Sequence, residues 1–200
     1  VTAVTRGRRP GGPDTRAQIL AAARELFAAR GFARTSVRAV AAQAGVDPSL
    51  VHHYFGRKDD LLLASLEMPV DPRELLAPVV AAGADAAGEG LLRAFLGAWD
   101  DPALQPVLLG AVRRLLEPGG ESLLTEGFVP GVLLPVGRAL GIDRPELRMP
   151  LVASQVLGLI LTRYVLRLEP VSSLPSDAVV AAYAPTLQRY LTGDLDGVGG

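Results

Sequence analysis

His52 and His53 are the only histidines in this chain of 200 residues, and it contains no cysteine. Disulfides, thiolate metal sites and cysteine nucleophiles are therefore excluded together. A Ser-His-Asp set has no imidazole to draw on beyond residue 53, and adjacent histidines point apart on a helix, so shared metal ligation by the pair is not expected. Gly119-Gly120 follows Pro118 without the Gly-Lys-Ser/Thr that would cradle a phosphate, and the carboxylates of Asp100-Asp101 are expected to cap a helix end. No nucleophile, metal or acid–base constellation remains, so the sequence predicts neither enzymatic activity nor a cofactor. A different chemistry is concentrated between Thr35 and Lys58. Hydroxyls (Thr35, Ser36, Ser49), cations (Arg38, Arg57, Lys58) and both imidazoles fall within that stretch. Hydroxyls, basic side chains and helix N-termini are the groups that hold DNA phosphates. A few side chains at the start of a recognition helix, with Arg reaching guanine, are those that distinguish bases.

Such contacts need short helices held at fixed angles. Ile19, Ala22, Ala23, Leu26 and Phe27 recur at helical spacing and predict a first helix, capped by Asp14 or Thr15 and ended by Gly31. Thr35 or Ser36 caps a second helix through Ala44, with Val37, Val40, Ala41 and Ala44 facing inward. Gly45-Val46 makes a tight turn, and Asp47 caps a third helix that has Pro48 at its first position and runs to Phe55. This is the layout of a helix-turn-helix at about residues 36–55. A fourth helix starts near Lys58. Beyond Met68 helices are expected at about 72–83, 88–100, 102–117, 121–140, 144–169 and 176–192, with kinks or splits at Pro106, Pro130, Pro135, Pro150 and Pro185. Nothing alternates with a period of two, so the fold is expected to be all-α.

Composition divides the chain in the same place. Apolar residues make up 49% and mean hydropathy is +0.29, values of a globular protein. The net charge of -1 hides ten basic against three acidic residues in 1–58, a net of +7, and a net of -8 in the remainder. A basic unit on an acidic body suits a polyanion-binding module attached to something else. Lys58 is the only lysine. Residues 1–13 form a Gly/Pro/Arg arm without apolar periodicity, residues 14–58 the DNA-binding unit and 59–200 the body. Arg6, Arg8 and Arg9 are followed by no apolar run, and the most apolar stretch, Met149–Leu161, is short of the ~20 residues of a membrane span, so the cytoplasm is the expected location.

Gly31-Phe32, Thr35-Ser36, Ala41, Ala44-Gly45-Val46, Tyr54-Phe55, Lys58 and Leu61-Leu62 stand where the tetracycline-repressor (TetR) family has its defining residues, and the resemblance runs without a gap over about residues 15–66. It implies that Thr35 and Ser36 touch phosphate, that Arg38 reads a base, and that Pro48 and Ser49 face the groove. It places His52 and His53 at the groove wall and phosphates and Lys58 on a phosphate. Val51 and Phe55 are expected in the core. The chain departs from the common pattern at Leu50 and His52, which leaves the base preference open; Leu50 either meets a thymine methyl or packs inward.

The acidic remainder resembles the family's ligand-sensing and dimerising domain. The stretches from Trp99 to Pro106, Ser154 to Leu159, Arg163 to Arg167 and Ala182 to Leu191 are similar to one subgroup common in actinobacteria. The resemblance implies a homodimer through about 144–169 and 176–192, and hence a pseudo-palindromic double-stranded operator. A small apolar or amphipathic effector is expected in a pocket lined by Phe95, Trp99, Leu108, Leu109, Phe128 and Tyr164. Repression released by that effector is the expected function. An activator, or an effector-binding protein with a vestigial DNA module, is the alternative; Arg38, Lys58 and the +7 charge speak against the vestigial form.

Overall fold

The computed structural model describes residues 13–195 apart from 67, 69 and 119. The arm expected over residues 1–13 lies, except for Pro13, outside the described residues. Those described are all helical or irregular, with no strand among them.

Four helices build an N-terminal head: α1 (Pro13–Arg30), α2 (Val37–Ala44), α3 (Pro48–Phe55) and α4 (Lys58–Ser65). Helix α1 is described from Pro13 on, so Asp14 and Thr15 lie within it. The head's core is formed by Ile19, Ala23, Leu26 and Phe27 of α1, Val40 and Ala41 of α2, Val51 and Phe55 of α3, and Leu61, Leu62 and Leu66 in and just after α4. The core thus continues past residue 58 through the whole of α4.

The body comprises α5 (Pro72–Ala82), a 3-10 turn (Ala84–Ala86), α6 (Ala87–Trp99), α7 (Gln105–Leu116), a π-helical segment (Leu123–Leu133), α8 (Leu134–Ala139), α9 (Pro145–Ile160) with a π-helical end (Leu161–Val165), and α10 (Ser176–Thr192). Helices α6 and α10 pack backbone to backbone, for a Cβ on Gly88 would lie 2.8 Å from the Gln188 nitrogen. Gln188 clamps this contact by accepting from the Gly88 N–H and donating to the Ala84 carbonyl, each at 2.9 Å. Three expected helices differ from those found. The one expected from 102 starts at Gln105, because Asp101 accepts the Ala103 N–H at 2.8 Å and caps the preceding turn. The one expected over 121–140 is π-helical to Leu133, a stretch that contains Pro130, whose ring nitrogen cannot donate to a helical ladder. The one expected over 144–169 ends at Val165, beyond which Arg167 adopts φ +52. Helices α9 and α10 each run unbroken past their interior prolines, Pro150 and Pro185. No single helix among the described residues is long and apolar enough to cross a membrane.

The two units meet at the π-helical segment and outside it, through the Arg73–Asp60 ion pair at 2.7 Å and through Leu115, which packs against the head's core. Leu123 is buried in the head's core and Phe128 packs against it. Gly127 lies so close to α4 that a Cβ there would come 2.2 Å from Leu62 Cδ2.

Candidate nucleic-acid interface

Helices α2 and α3 are fixed by four local devices. Ser36 has extended backbone (φ -101, ψ 154) and its Oγ accepts the Ala39 N–H at 3.1 Å, so it is the N-cap of α2. Gly45 ends α2 at φ +66, a left-handed conformation that glycine adopts without strain, and the Val46 N–H closes the turn on the Ala41 carbonyl at 2.9 Å. Asp47 caps α3 by accepting both the hydroxyl and the backbone N–H of Ser49, at 2.6 and 2.8 Å. These two bonds hold the Asp47 carboxyl below its usual range, the hydroxyl contributing most. Pro48 occupies the first turn, where a missing N–H costs nothing.

This frame presents Ser36, Arg38, Ser49, His52 and His53 to solvent along one short two-helix unit. Arg38 makes no hydrogen bond or ion pair among the described residues, so its guanidinium is available. His52 Nδ1 lies 2.9 Å from the Gly56 carbonyl, which can only accept; Nδ1 therefore carries a proton and Nε2 faces outward. The His53 ring packs edge-on against Tyr54, centroids 5.4 Å apart. Pro48 and Leu50 are half-buried, while Val51 and Phe55 are core residues as expected.

Two of the expected phosphate ligands are engaged inside the protein. Thr35 is 2% exposed, and its hydroxyl donates to the carbonyls of Gly31 at 2.8 Å and Leu26 at 3.1 Å. It ties the end of α1 to the start of α2. Lys58 is half-buried. Its Nζ sits 4.1 Å over the Phe32 ring and donates to the Ala33 carbonyl at 3.4 Å. Burial pulls the Lys58 ammonium below its usual range, partly opposed by the charges of Asp59 and Glu126. Glu126, which the sequence did not single out, also accepts the Ala33 N–H at 2.7 Å.

In the body, Phe95, Trp99 and Tyr164 do come together, with centroids 4.9 to 6.3 Å apart, and Leu108 and Leu109 belong to the same core. Phe128 does not; it packs on the head. An open cavity of about 380 Å³ beside Tyr164 is lined mainly by polar groups, including Asp100, Gln105, Arg163, Tyr164, Arg167 and Glu169. Tyr164 is the one member of the expected apolar set on its wall. Asp100 is the C-cap of α6 through its backbone N–H, which donates to the Leu96 carbonyl, while its carboxylate accepts the Tyr164 hydroxyl at 2.8 Å and the Ser176 hydroxyl at 2.5 Å. Burial, followed by that bond to Asp100, pushes the Tyr164 hydroxyl above its ordinary range. Arg163 is 9% exposed and gives Nη1 to the Val171 and Leu174 carbonyls, both at 2.8 Å. Among the described residues no group of three or more His, Cys, Asp or Glu could hold a metal ion.

Comparison with known proteins follows the same division. Residues 19–65 match the family described as bacterial regulatory proteins, tetR family, and residues 85–191 match the tetracyclin repressor-like C-terminal domain. Curated relatives include the HTH-type transcriptional regulator HbdR of Aromatoleum sp., 37% identical over 65 residues covering 32% of this chain and 28% of the relative. The HTH-type transcriptional regulator BetI of Brucella melitensis biotype 1 is 43% identical over 54 residues, covering 27% of each. In both cases the chain spans less than a third of the relative's length. A solved TetR-family regulator from Streptomyces coelicolor is 40% identical, with a TM-score of 0.51 and coverage of 92% of this chain and 98% of its own. The match of both halves, joined by that full-length likeness, shows that the chain belongs to the tetracycline-repressor family of helix-turn-helix, DNA-binding transcriptional regulators.

Proposed function

We propose that the chain is a homodimeric repressor that leaves a pseudo-palindromic operator when a small amphipathic or apolar effector enters the body. The observation that carries the reading is the set of Ser36, Arg38, Ser49 and His52, all solvent-facing on two helices whose ends are locked by Ser36, Gly45 and Asp47. The roles are assigned on that geometry. Ser36 and His53 meet phosphates, Arg38 reads a base, Pro48, Ser49 and His52 Nε2 face the groove, and Lys58 reaches a phosphate after leaving Ala33. Thr35 sets the angle between α1 and α2. The head is taken to end after α4, since Leu61, Leu62 and Leu66 complete its core.

The dimer is assigned to α9 and α10. Leu157, half-buried and outside the body's core cluster, and Val165 and Leu166, at 40% and 61% exposed, leave an apolar stripe on α9 and its end that a second copy would cover. The effector is placed in the cavity beside Tyr164, whose mixture of aromatic wall and charged rim suits an amphipathic molecule. The body is assigned to the subgroup common in actinobacteria. The protein acts in the cytoplasm, without a cofactor and without catalysis.

The test is a gel shift at fixed salt with the promoter region beside the protein's own gene, followed by transcription from that promoter with and without the protein. A saturable, sequence-preferring shift and reduced transcription are expected. Absence of any sequence-preferring shift refutes DNA recognition, and increased transcription makes the protein an activator.

A further inference from the structure

The turn leading into α2 is held from two sides. From the body, Glu126 reaches across 93 residues of sequence to accept the Ala33 N–H at 2.7 Å. The same carboxylate lies against Gly31, where a Cβ would come 3.1 Å from its Oε2. From the head, Lys58 donates to the Ala33 carbonyl and covers the Phe32 ring. Gly31, Phe32 and Ala33 are thus held between a carboxylate of the acidic body and the only lysine of the chain.

Glu126 is carried on a segment that is built into the head. Leu123 is buried in the head's core, the Gly127 backbone lies against the Leu62 side chain, and the Ser122 hydroxyl donates to the Phe27 carbonyl at 3.4 Å. Any shift of the π-helical segment therefore moves this carboxylate relative to Ala33 and Lys58. A carboxylate that accepts a backbone N–H beside an ammonium offers the same acceptor and charge as a DNA phosphate oxygen.

We propose that Glu126 is a positioning residue for DNA binding, fixing the turn before α2 and holding the charge of Lys58 back from the phosphate backbone, so that the body sets how strongly the head binds. The proposal rests on the reading that the head binds DNA. Two roles are joined in one side chain, and two substitutions separate them. Glu126→Gln keeps an acceptor for the Ala33 N–H and nearly the same shape but removes the charge. Glu126→Ala removes both.

Operator titrations at several salt concentrations are the first test. Glu126→Gln is expected to bind about 3- to 10-fold tighter at low salt, from loss of one nearby negative charge. Its affinity should also fall more steeply with salt, by up to about 0.9 in the log–log slope for one added phosphate contact. Glu126→Ala should bind more weakly than Glu126→Gln, because the turn loses its anchor. Wild-type affinity and salt slope in Glu126→Gln would overturn the proposal, since a purely structural Glu126 predicts that result. The second test needs no DNA. Lys58 gives a single lysine ε resonance, whose pH titration by NMR should shift to lower pKa in Glu126→Gln, because the charge of Glu126 favours the ammonium. An unchanged titration overturns the proposal independently of DNA. If wild type binds no operator, the DNA-binding reading fails, and the titration still decides whether Glu126 holds the charge of Lys58.

Discussion

Thr35→Val separates a phosphate ligand from a structural tie. The side chain is 2% exposed, and valine matches its volume and branching, so packing is kept. What is removed is one O–H shared between the carbonyls of Gly31 and Leu26. Leu26 lies within α1, whereas Gly31 lies past its end, so the loss falls mainly on the Gly31 carbonyl. A buried acceptor left without its partner costs about 1–3 kcal/mol, and the Gly31 carbonyl is part-buried. Because two carbonyls share a single donor, the lower half of that range, about 1–2 kcal/mol, is expected. For a chain of this size each kcal/mol lowers Tm by about 2–4 °C, so Thr35→Val should melt about 2–8 °C below wild type. Ser36 remains as cap, so operator affinity at a temperature where both proteins are folded should be unchanged. Differential scanning calorimetry and a gel shift on the same preparation provide the two readings. An unchanged Tm with operator affinity lowered about tenfold, or 1.4 kcal/mol, would refute the reasoning and return Thr35 to the phosphate backbone.

Four further outcomes follow from the same geometry. Arg38→Ala should lose about 1–3 kcal/mol on the preferred operator and relax preference at one base pair, read by titrating a panel of single-base operator variants; an unaltered preference removes Arg38 from base reading. Lys58→Ala made in the Glu126→Gln background, where the ammonium is released, should weaken binding to all sequences about equally and reduce the salt slope by about 1, with no change in rank among operator variants. Gly127→Ala places a Cβ 2.2 Å from Leu62 Cδ2, and because Leu62 is fully buried and cannot swing away, urea unfolding should show about 1–3 kcal/mol of destabilisation. Leu157→Glu puts a charge on the stripe of α9 assigned to the second copy, and light scattering should report a monomer where wild type gives a dimer; a dimeric mass for the variant would place the interface elsewhere.

The head was legible in the sequence because its instructions are local. Ser36, Gly45, Asp47 and Pro48 each fix a helix end through partners within five residues. Thr35 shows where that legibility stops. Thr35 and Ser36 carry the same functional group and both suit an N-cap. Which one turns inward is decided by the end of α1, where Leu26 and Gly31 present carbonyls to Thr35. The aromatic cluster of the body is a related case, as the spacing of Phe95 and Trp99 is read from the sequence but not the packing of their rings on each other and on Tyr164.

The π-helical segment is where reading by period breaks down altogether. An α-helix repeats every 3.6 residues, so Leu123 and Phe128, five apart, belong on different faces. A π-helix bonds each residue to the fifth along it, and the same two side chains both reach the head's core. Nothing in the apolar pattern marks that change of register, and Glu126 is the one charged residue of the affected stretch. Its partner is 93 residues away, in a turn that already looked complete without it. The contacts this segment makes with the head, from Leu123 and Phe128 on its core and from Glu126 on Ala33, go with that departure from α-helical register. They are therefore the contacts a 3.6-residue period cannot anticipate, and substitutions at Glu126 and Gly127 test the coupling more directly than substitutions on the DNA-facing surface.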